Sequence, residues 1–362
     1  MNHYRVIRSS LRFALAVAVC FLFSRPVDIR AEIFTVASYN VENFFDHKHD
    51  STEYSEYIPG GPFGWNREMM DIKCGNIARV IKDLDAEIVA IQEIESRQAL
   101  QYLQERLVRM DAHYAYAAIA DAKPTAVKCA MLSKFPMASI SEIHVAGAAA
   151  RSILKVVLDI EGRHLVVYVN HWKSKFGPES QRLPFAKALA EDIGKLDTAT
   201  DFILTGDFNS DYNEFETFRD LERFNDTGGI TGINHILNTV KNGRLVDETL
   251  LIRQPGNKYL YNLWLELPEY RRWSVNFFGR KNSPDAIIVS MGLYDDRGIA
   301  YVDNSFDRFA PEYLFESGAV YRWQRAQRGR GKHLGQGYSD HLPVYARFTT
   351  RPFQWADFPQ KP

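Results

Sequence analysis

Short apolar runs, broken by Gly, Pro, Asn and charged clusters, recur along most of the 362-residue chain. Ile33–Tyr39, Ile88–Ile91, Val127–Leu132, Ile153–Ile160, His164–Val169, Phe202–Leu204, Asp285–Val289 and Val344–Phe348 are short, rich in β-branched residues and bounded by turn formers, which predicts strands. Two stretches carry the other period. From Arg67 to Leu84 the apolar residues Met70, Cys74, Ile77, Ile81 and Leu84 fall three and four apart, and Phe185, Leu189, Ile193 and Leu196 repeat that spacing behind Pro184, a residue suited to a first helical turn. Both predict amphipathic helices.

The order of elements limits the architecture. Strand, helix and strand over 34–91 imply a parallel crossover, whereas the runs 153–160 and 164–169, joined by Glu161-Gly162-Arg163, imply a hairpin. Parallel and antiparallel pairs together predict a mixed α/β (α+β) sandwich. The first strand is not followed by G-x-G-x-x-G, so nothing argues for a dinucleotide. With no internal repeat and no Gly/Ser/Pro linker, a single domain over 32–355 is expected, followed by a short tail at 356–362.

Residues 1–31 stand apart. Arg5, Arg8 and Arg12 precede an apolar run from Phe13 to Phe23, which at about eleven residues is shorter than the ~20 a spanning helix needs, so a cleaved signal peptide and export to the periplasm or the outside are expected. A retained anchor is the alternative, since Ile29 and Ala31 make an imperfect cleavage site. A lipid attached at Cys20 is disfavoured by bulky Val19. Export leaves Cys74 and Cys129 free to pair, or to remain as two buried thiols; neither spacing fits zinc.

Composition adds exclusions. With 46% hydrophobic and 25% charged residues the chain is globular, not disordered. Its formal charge is −1, and loss of a leader carrying five Arg and one Asp leaves 39 basic against 44 acidic residues, so any polyanion partner must be recognised by local charge.

Candidate chemistry gathers where the predicted strands end. Asn40 and Glu42, Glu93, Asn170 and His171, Asp207 and Asn209, and Asp285 all lie in or near strand termini, with Asp340 and His341 just before the last strand. Oxygen donors without clustered Cys select a hard cation, Mg²⁺, Mn²⁺ or Ca²⁺, and a His with an acidic neighbour handles a proton. Hydrolysis of a phosphate ester suits that set.

The motifs Ser38-Tyr39-Asn40-Val41-Glu42, Ile91-Gln92-Glu93, Met131-Leu132-Ser133-Lys134-Phe135-Pro136, Asn170-His171-Trp172-Lys173-Ser174, Gly206-Asp207-Phe208-Asn209, Pro284-Asp285-Ala286-Ile287-Ile288 and Ser339-Asp340-His341 follow one another in the order seen in a known family. The mature chain resembles the endonuclease/exonuclease/phosphatase superfamily, which includes pancreatic-type DNases, abasic-site endonucleases, bacterial sphingomyelinases and inositol-polyphosphate phosphatases. The resemblance implies a four-layer sandwich, with two mixed β-sheets face to face and helices outside. It implies that Glu93 is the principal metal ligand, with Asn40 and Asp340 near the same cation and Glu42 a further acidic ligand. Asp207 and Asn209 would orient water and phosphate, His341 would pair with Asp285, and His171 would contact or protonate a phosphate oxygen. Arg151 would face the phosphate. One departure stands out: some DNases support the first His with a Glu on the strand before the Leu-Ser-Lys-Phe-Pro motif, and Thr125-Ala126-Val127-Lys128 offers no carboxylate.

Several features admit two readings. Asn170 either contacts substrate or caps the loop after its strand. Lys173 and Lys175 either attract a phosphate or are simply solvated. Asp46, His47, His49 and Asp50 look like a metal cluster but sit in a Gly- and Pro-rich stretch better read as a loop. The basic run Arg322, Arg325, Arg328, Arg330, Lys332 and His333 leads into Asp340, and its glycines predict a mobile loop following a nucleic-acid strand. Aromatics from Tyr259 to Phe277, interleaved with Arg271, Arg272 and Arg280, are either core or stacking platforms. The sequence therefore favours an exported, metal-dependent endonuclease. A sphingomyelinase-like or other small-phosphoester hydrolase, and a non-catalytic binding module on the same fold, are the alternatives.

Overall fold

A computed structural model describes residues 33–147, 151–218, 221–253, 258–277 and 279–353; the expected leader and tail lie outside them. The described residues fall in one compact unit. In chain order the strands are β1 Ile33–Phe44, β2 Ile88–Ile94, β3 Tyr116–Ile119, β4 Lys128–Ser133, β5 Met137–Ile143, β6 Ile153–Ile160, β7 Arg163–His171, β8 Phe202–Asp207, β9 Val240–Lys241, β10 Arg244–Leu245, β11 Tyr261–Asn262, β12 Val275–Phe277, β13 Arg280–Asn282, β14 Asp285–Val289, β15 Ala300–Tyr301, β16 Asp307–Arg308, β17 Phe315–Glu316, β18 Ala319–Val320 and β19 Val344–Thr349. The helices used below are α1 Arg67–Leu84, α2 Arg97–Arg109, α3 Leu183–Ile193, α4 Glu214–Thr217 and α5 Glu248–Arg253.

Two sheets form the body. One runs β15-β19-β1-β2-β4-β3, with β16 also on β19; the other runs β11-β14-β8-β7-β6-β5. β1 with β2 and β7 with β8 are parallel, and their neighbours pair antiparallel, as the crossover and the hairpin require. Phe34 and Val36 of β1, Ile88 and Ala90 of β2 and Met131 of β4 join the second sheet's residues in one buried cluster. The alternate residues Ala37, Tyr39, Val41, Val89 and Ile91 face Ile77 and Ile81 of α1 and Leu100 and Leu103 of α2. Covered on both faces, β1 and β2 read as continuous apolar runs rather than as alternation. Phe185 and Leu189 of α3 pack on the second sheet, which completes the four-layer sandwich.

Local signals explain the element ends. The Asn66 side chain accepts the Met69 amide at 3.0 Å to start α1, and Asp85, left-handed at φ 48°, stops it. α2 starts where Ser96 accepts the Ala99 amide; its stripe of Leu100, Leu103 and Leu107 was there to be read but is thin among polar residues. The β6–β7 link is a two-residue turn, with Ile160 opposite Arg163 and positive φ at Glu161 and Gly162. Such a turn matches the twist of the strands. Cys74 and Cys129 are both buried and unpaired. No described helix is long and apolar enough to cross a membrane.

Asp201, just before β8, accepts the Ile299 amide at 2.6 Å and is nearly enclosed. Burial, and then Asp295, raise its carboxyl to about 7. The folded state therefore holds a proton that the unfolded chain releases near pH 4, so this site makes stability fall as pH rises from about 4 to about 7. Denaturation of Asp201→Asn across that range should show a shallower decline than the wild type. Parallel curves would place the titration elsewhere.

Candidate active site

Backbone register lines up the central groups. His171, the last residue of β7, is opposite Asp207, the last of β8, and Asp207 is opposite Asp285, the first of β14. Residues opposite one another point to the same face, so three titratable groups form a row without any help from loops. The row depends on a close approach. Gly206 has φ 127°, and a Cβ there would meet the Asn170 carbonyl oxygen at 2.1 Å. From the other sheet Asn40 is opposite Gln92, which places Glu93 beside it. Glu42, Glu93 and Asn209 all have positive φ, between 48° and 66°, so the chain leaves regular strand geometry at each of these positions.

The side chains interlock. Asn40 Nδ2 donates to Glu93 Oε1 at 3.2 Å and to Asp207 Oδ2 at 3.0 Å, tying the two sheets together. The Asn209 amide donates to Asp207 Oδ1 at 2.8 Å, and its Nδ2 to the Trp172 carbonyl at 3.2 Å. His171 Nε2 lies 3.5 Å from Glu93 and 3.7 Å from Asp207, while its Nδ1 is buried without a partner. His341 Nδ1 lies 2.7 Å from Asp285 Oδ2, to which Ser274 Oγ also donates at 2.5 Å. Ser339 Oγ donates to the Asn40 carbonyl at 2.7 Å and receives the His341 amide at 3.1 Å, so the Ser-Asp-His turn is pinned to β1.

Burial makes these groups expensive to charge. Asp207 is raised to about 7, mainly by desolvation, with His341 opposing and Asp285 and Glu93 adding to the rise. Glu93 is raised by burial and by Asp340. His171 is driven well down by burial, then by Arg151 and His341, and is neutral. Burial opposes the charge on His341, but Asp285 outweighs it and keeps the ring protonated. Buried acids short of positive charge are what a cation would relieve. Glu93, His171 and Asp207 each place one ligand atom within 4.8 Å of the others.

A sequence model of the Endonuclease/Exonuclease/phosphatase family matches residues 35–245. The chain belongs to that family. Solved structures agree in fold: humanized D. rerio TDP2 (13% identity, 87% of this chain and 98% of that one, TM-score 0.54), D. rerio TDP2 complexed with single strand DNA product (14%, 87% and 98%, 0.51) and TDP2 from C. elegans (14%, 87% and 75%, 0.50). Among curated proteins no sequence match was found. Enzymes of the endonuclease/exonuclease/phosphatase family are divalent-metal-dependent phosphoesterases, and the acid and histidine donors gathered here fit a hard cation.

The structure brings Asn40, Glu93, His171, Asp207, Asn209, Asp285 and His341 together. Asp340 is adjacent, with its carboxylate 3.9 Å from His341 and 3.5 Å from Arg322. Arg151 also faces the centre: it donates to the Trp172 carbonyl at 3.3 Å, and its charge acts on Glu93 and His171. Four expectations need correction. Glu42 does not face the centre as a free ligand, because Arg322 binds one carboxylate oxygen and the Trp323 amide the other, at 3.0 Å. Asn170 is a structural amide, spent on the Tyr168 and Thr205 carbonyls and on the Trp172 indole. Lys173 is exposed, and Arg328 and Arg330 sit on an exposed turn with no hydrogen bond or ion pair to the centre among the described residues. The basic run is also a packed loop: Arg325 pairs with Glu56 at 3.2 Å, and His333 accepts the Trp323 indole at 2.8 Å.

Other features resolve toward the plainer reading. Asp46 caps local amides and receives Ser96, and no metal cluster forms with His47, His49 and Asp50 among the described residues. Tyr259, Tyr261, Trp264 and Trp273 are core, whereas Tyr270 is exposed. Sequence reasoning missed Ser274, Arg322 as a clamp, and Lys73. Lys73 lies on the apolar stripe of α1, where a lysine is itself a signal; it is buried without a hydrogen bond, 4.8 Å over the Trp323 ring, and burial lowers it to about 8.

Removing Arg322 leaves the buried Glu42 carboxylate poorly compensated, so Arg322→Ala should cost about 1–3 kcal/mol, less than a fully buried pair because the guanidinium is half exposed. Adding Glu42→Gln should recover most of the loss in chemical denaturation. A double variant as unstable as the single one would assign the loss to Arg322 packing instead.

Proposed function

We propose that the protein is an exported, Mg²⁺-dependent phosphodiesterase that cleaves nucleic acid. The observation that carries this reading is the row of His171, Asp207 and Asp285 facing Glu93, with His341 held against Asp285. A cation held by Glu93 and neighbouring donors would neutralise phosphate charge and orient the ester. Asp207, aligned by Asn40 and Asn209, takes a proton from the water that attacks phosphorus, and the P–O bond to the leaving ester oxygen breaks as that oxygen takes a proton from solvent. His341 turns Nε2 toward the cleft, because Nδ1 is fixed by Asp285, and its positive charge meets the phosphate oxygens as charge builds there. Neutral His171 offers a further contact to the phosphate, and Arg151 adds positive charge near Glu93 and His171.

Substrate class rests on the cleft beside His341. A cavity of about 420 Å³ opens there, lined by Lys175, Arg223 and Arg280 as well as Asn209 and Asp340. Lys175 is paired with Asp211 at 2.8 Å and Glu214 at 2.7 Å, but exposed Arg223 and Arg280 suit a polyanion, and the D. rerio TDP2 relative was solved with single strand DNA product. The same cavity has an apolar wall of Phe176, Phe218, Leu221 and Phe224, which favours a second reading, a small diester with an apolar substituent. The leader at 1–31 is the reason to propose export, and cell fractionation tests it.

Purified protein should cleave oligonucleotides and bis-p-nitrophenyl phosphate with Mg²⁺ and lose both activities in EDTA. Hydrolysis of sphingomyelin, with nucleic acid untouched, would select the second reading. Full activity in EDTA would overturn the metal-dependent reading. His341→Ala should lower turnover by roughly 10²–10⁴ with the fold intact; near-normal turnover would remove that ring from the chemistry.

A further inference from the structure

A second set of acids lies outside the catalytic centre. Glu248 opens α5, Glu266 closes the short helical turn Leu263–Glu266, and Asp303 follows β15, so three separate segments contribute one carboxylate each. One oxygen from each lies within 4.8 Å of the other two. Tyrosine hydroxyls fix their orientation: Tyr294 donates to Glu248 Oε1 at 2.9 Å and Tyr301 to Glu266 Oε2 at 2.6 Å. The remaining oxygens are the informative ones. Glu266 Oε1 and Asp303 Oδ1 are shut off from solvent and accept no hydrogen bond among the described residues.

Tyr261 points to the same place. It is 4% exposed, its hydroxyl makes no hydrogen bond among the described residues, and burial followed by the charges of Glu266, Glu248 and Asp303 keeps that hydroxyl neutral. An acid cluster on a solvated surface would be unremarked, since water satisfies each oxygen. Here two enclosed carboxylate oxygens accept no hydrogen bond among the described residues although Tyr261 lies near enough to feel all three acids, an arrangement that is costly unless something positive binds.

We propose that Glu248, Glu266 and Asp303 form a structural Ca²⁺ site. The donors are all oxygen, which selects a hard cation, and Ca²⁺ accepts oxygen ligands in flexible, irregular arrangements. Mg²⁺ demands near-ideal octahedral geometry, which ligands on three independent segments meet less readily. Bound there, the ion would fasten α5 and the Leu263–Glu266 turn to the β15 connection. The site is independent of the catalytic reading. It stands at the β11 edge of the second sheet, where Tyr261 is opposite Val289, the end of β14 away from Asp285.

The test uses Glu93→Gln protein as parent, so that binding at the catalytic centre is weakened, and compares it with the same protein carrying Glu266→Gln or Asp303→Asn. Ca²⁺ should raise the parent's melting temperature by several degrees, since a ligand that binds only the folded state stabilises it. Either added substitution should weaken Ca²⁺ binding at least tenfold and remove most of that shift. Tb³⁺ supplies a second readout, because Tyr261, Tyr294 and Tyr301 lie close enough to sensitise its emission, and that emission should fall in both variants. In the wild-type background Glu266→Gln should leave Mg²⁺-dependent hydrolysis of bis-p-nitrophenyl phosphate unchanged, which also shows that the variant folds. A parent with no Ca²⁺ shift, or an equal shift in parent and variants, would overturn the proposal.

Discussion

The hydrogen-bond register between β7, β8 and β14 is the constraint on which the centre depends. It sets His171, Asp207 and Asp285 side by side at one level of one sheet, and the other candidate groups are arranged around that row. Main-chain ladders are shared by many residues and do not shift singly, so the positions of the three groups are fixed by the whole sheet. Gly206 shows how tight the fit is, since only a residue without a Cβ lets β8 come that close to Asn170. The row would be inert on its own. Asn40 bridges it to Glu93 of the opposite sheet, so the acid and histidine donors that could hold a cation meet in the gap between the sheets.

Electrostatic cost is the second theme. Glu42, Glu93 and Asp207 are buried acids, and the protein relieves them in different ways. Glu42 is satisfied internally by Arg322 and the Trp323 amide, with Lys73 nearby. Glu93 and Asp207 receive hydrogen bonds only from Asn donors, and although His341 acts on both and Arg151 on Glu93, burial still raises both carboxyls, so they keep an unmet demand for positive charge. That contrast separates a group that holds the fold from groups available to a cation, although all three look alike in sequence.

Much of this was legible before any coordinates. The β6, β14 and α1 boundaries follow directly from β-branched runs and helical spacing, because the burial that forms those elements is written in the same residues. The ordered motifs also pointed to Glu93, Asp207, Asp285 and His341. Glu42 and Asn170 were misread for a shared reason: each sits in a motif position, but side-chain direction is decided by partners far along the chain, Arg322 in one case and Thr205 in the other. The basic loop misled for the opposite reason. Its glycines suggested freedom, while Trp65, Tyr57, Trp323 and His333 pack into an aromatic cluster that holds it down. The acids at 248, 266 and 303 share no motif at all, and only folding brings them together.

The turn at Glu161 and Gly162 has a practical meaning. β7 begins there and ends at His171, so the tight turn and the reacting groups occupy opposite ends of one rigid strand. A Cβ on Gly162 would meet nothing within 4 Å, so the surroundings leave room for added atoms, although the positive φ still asks for glycine or asparagine. A dye, affinity handle or surface tether grafted at that corner would therefore sit about nine residues, roughly 30 Å at strand rise, from the cleft. It would report on or immobilise the protein while leaving the substrate's approach open.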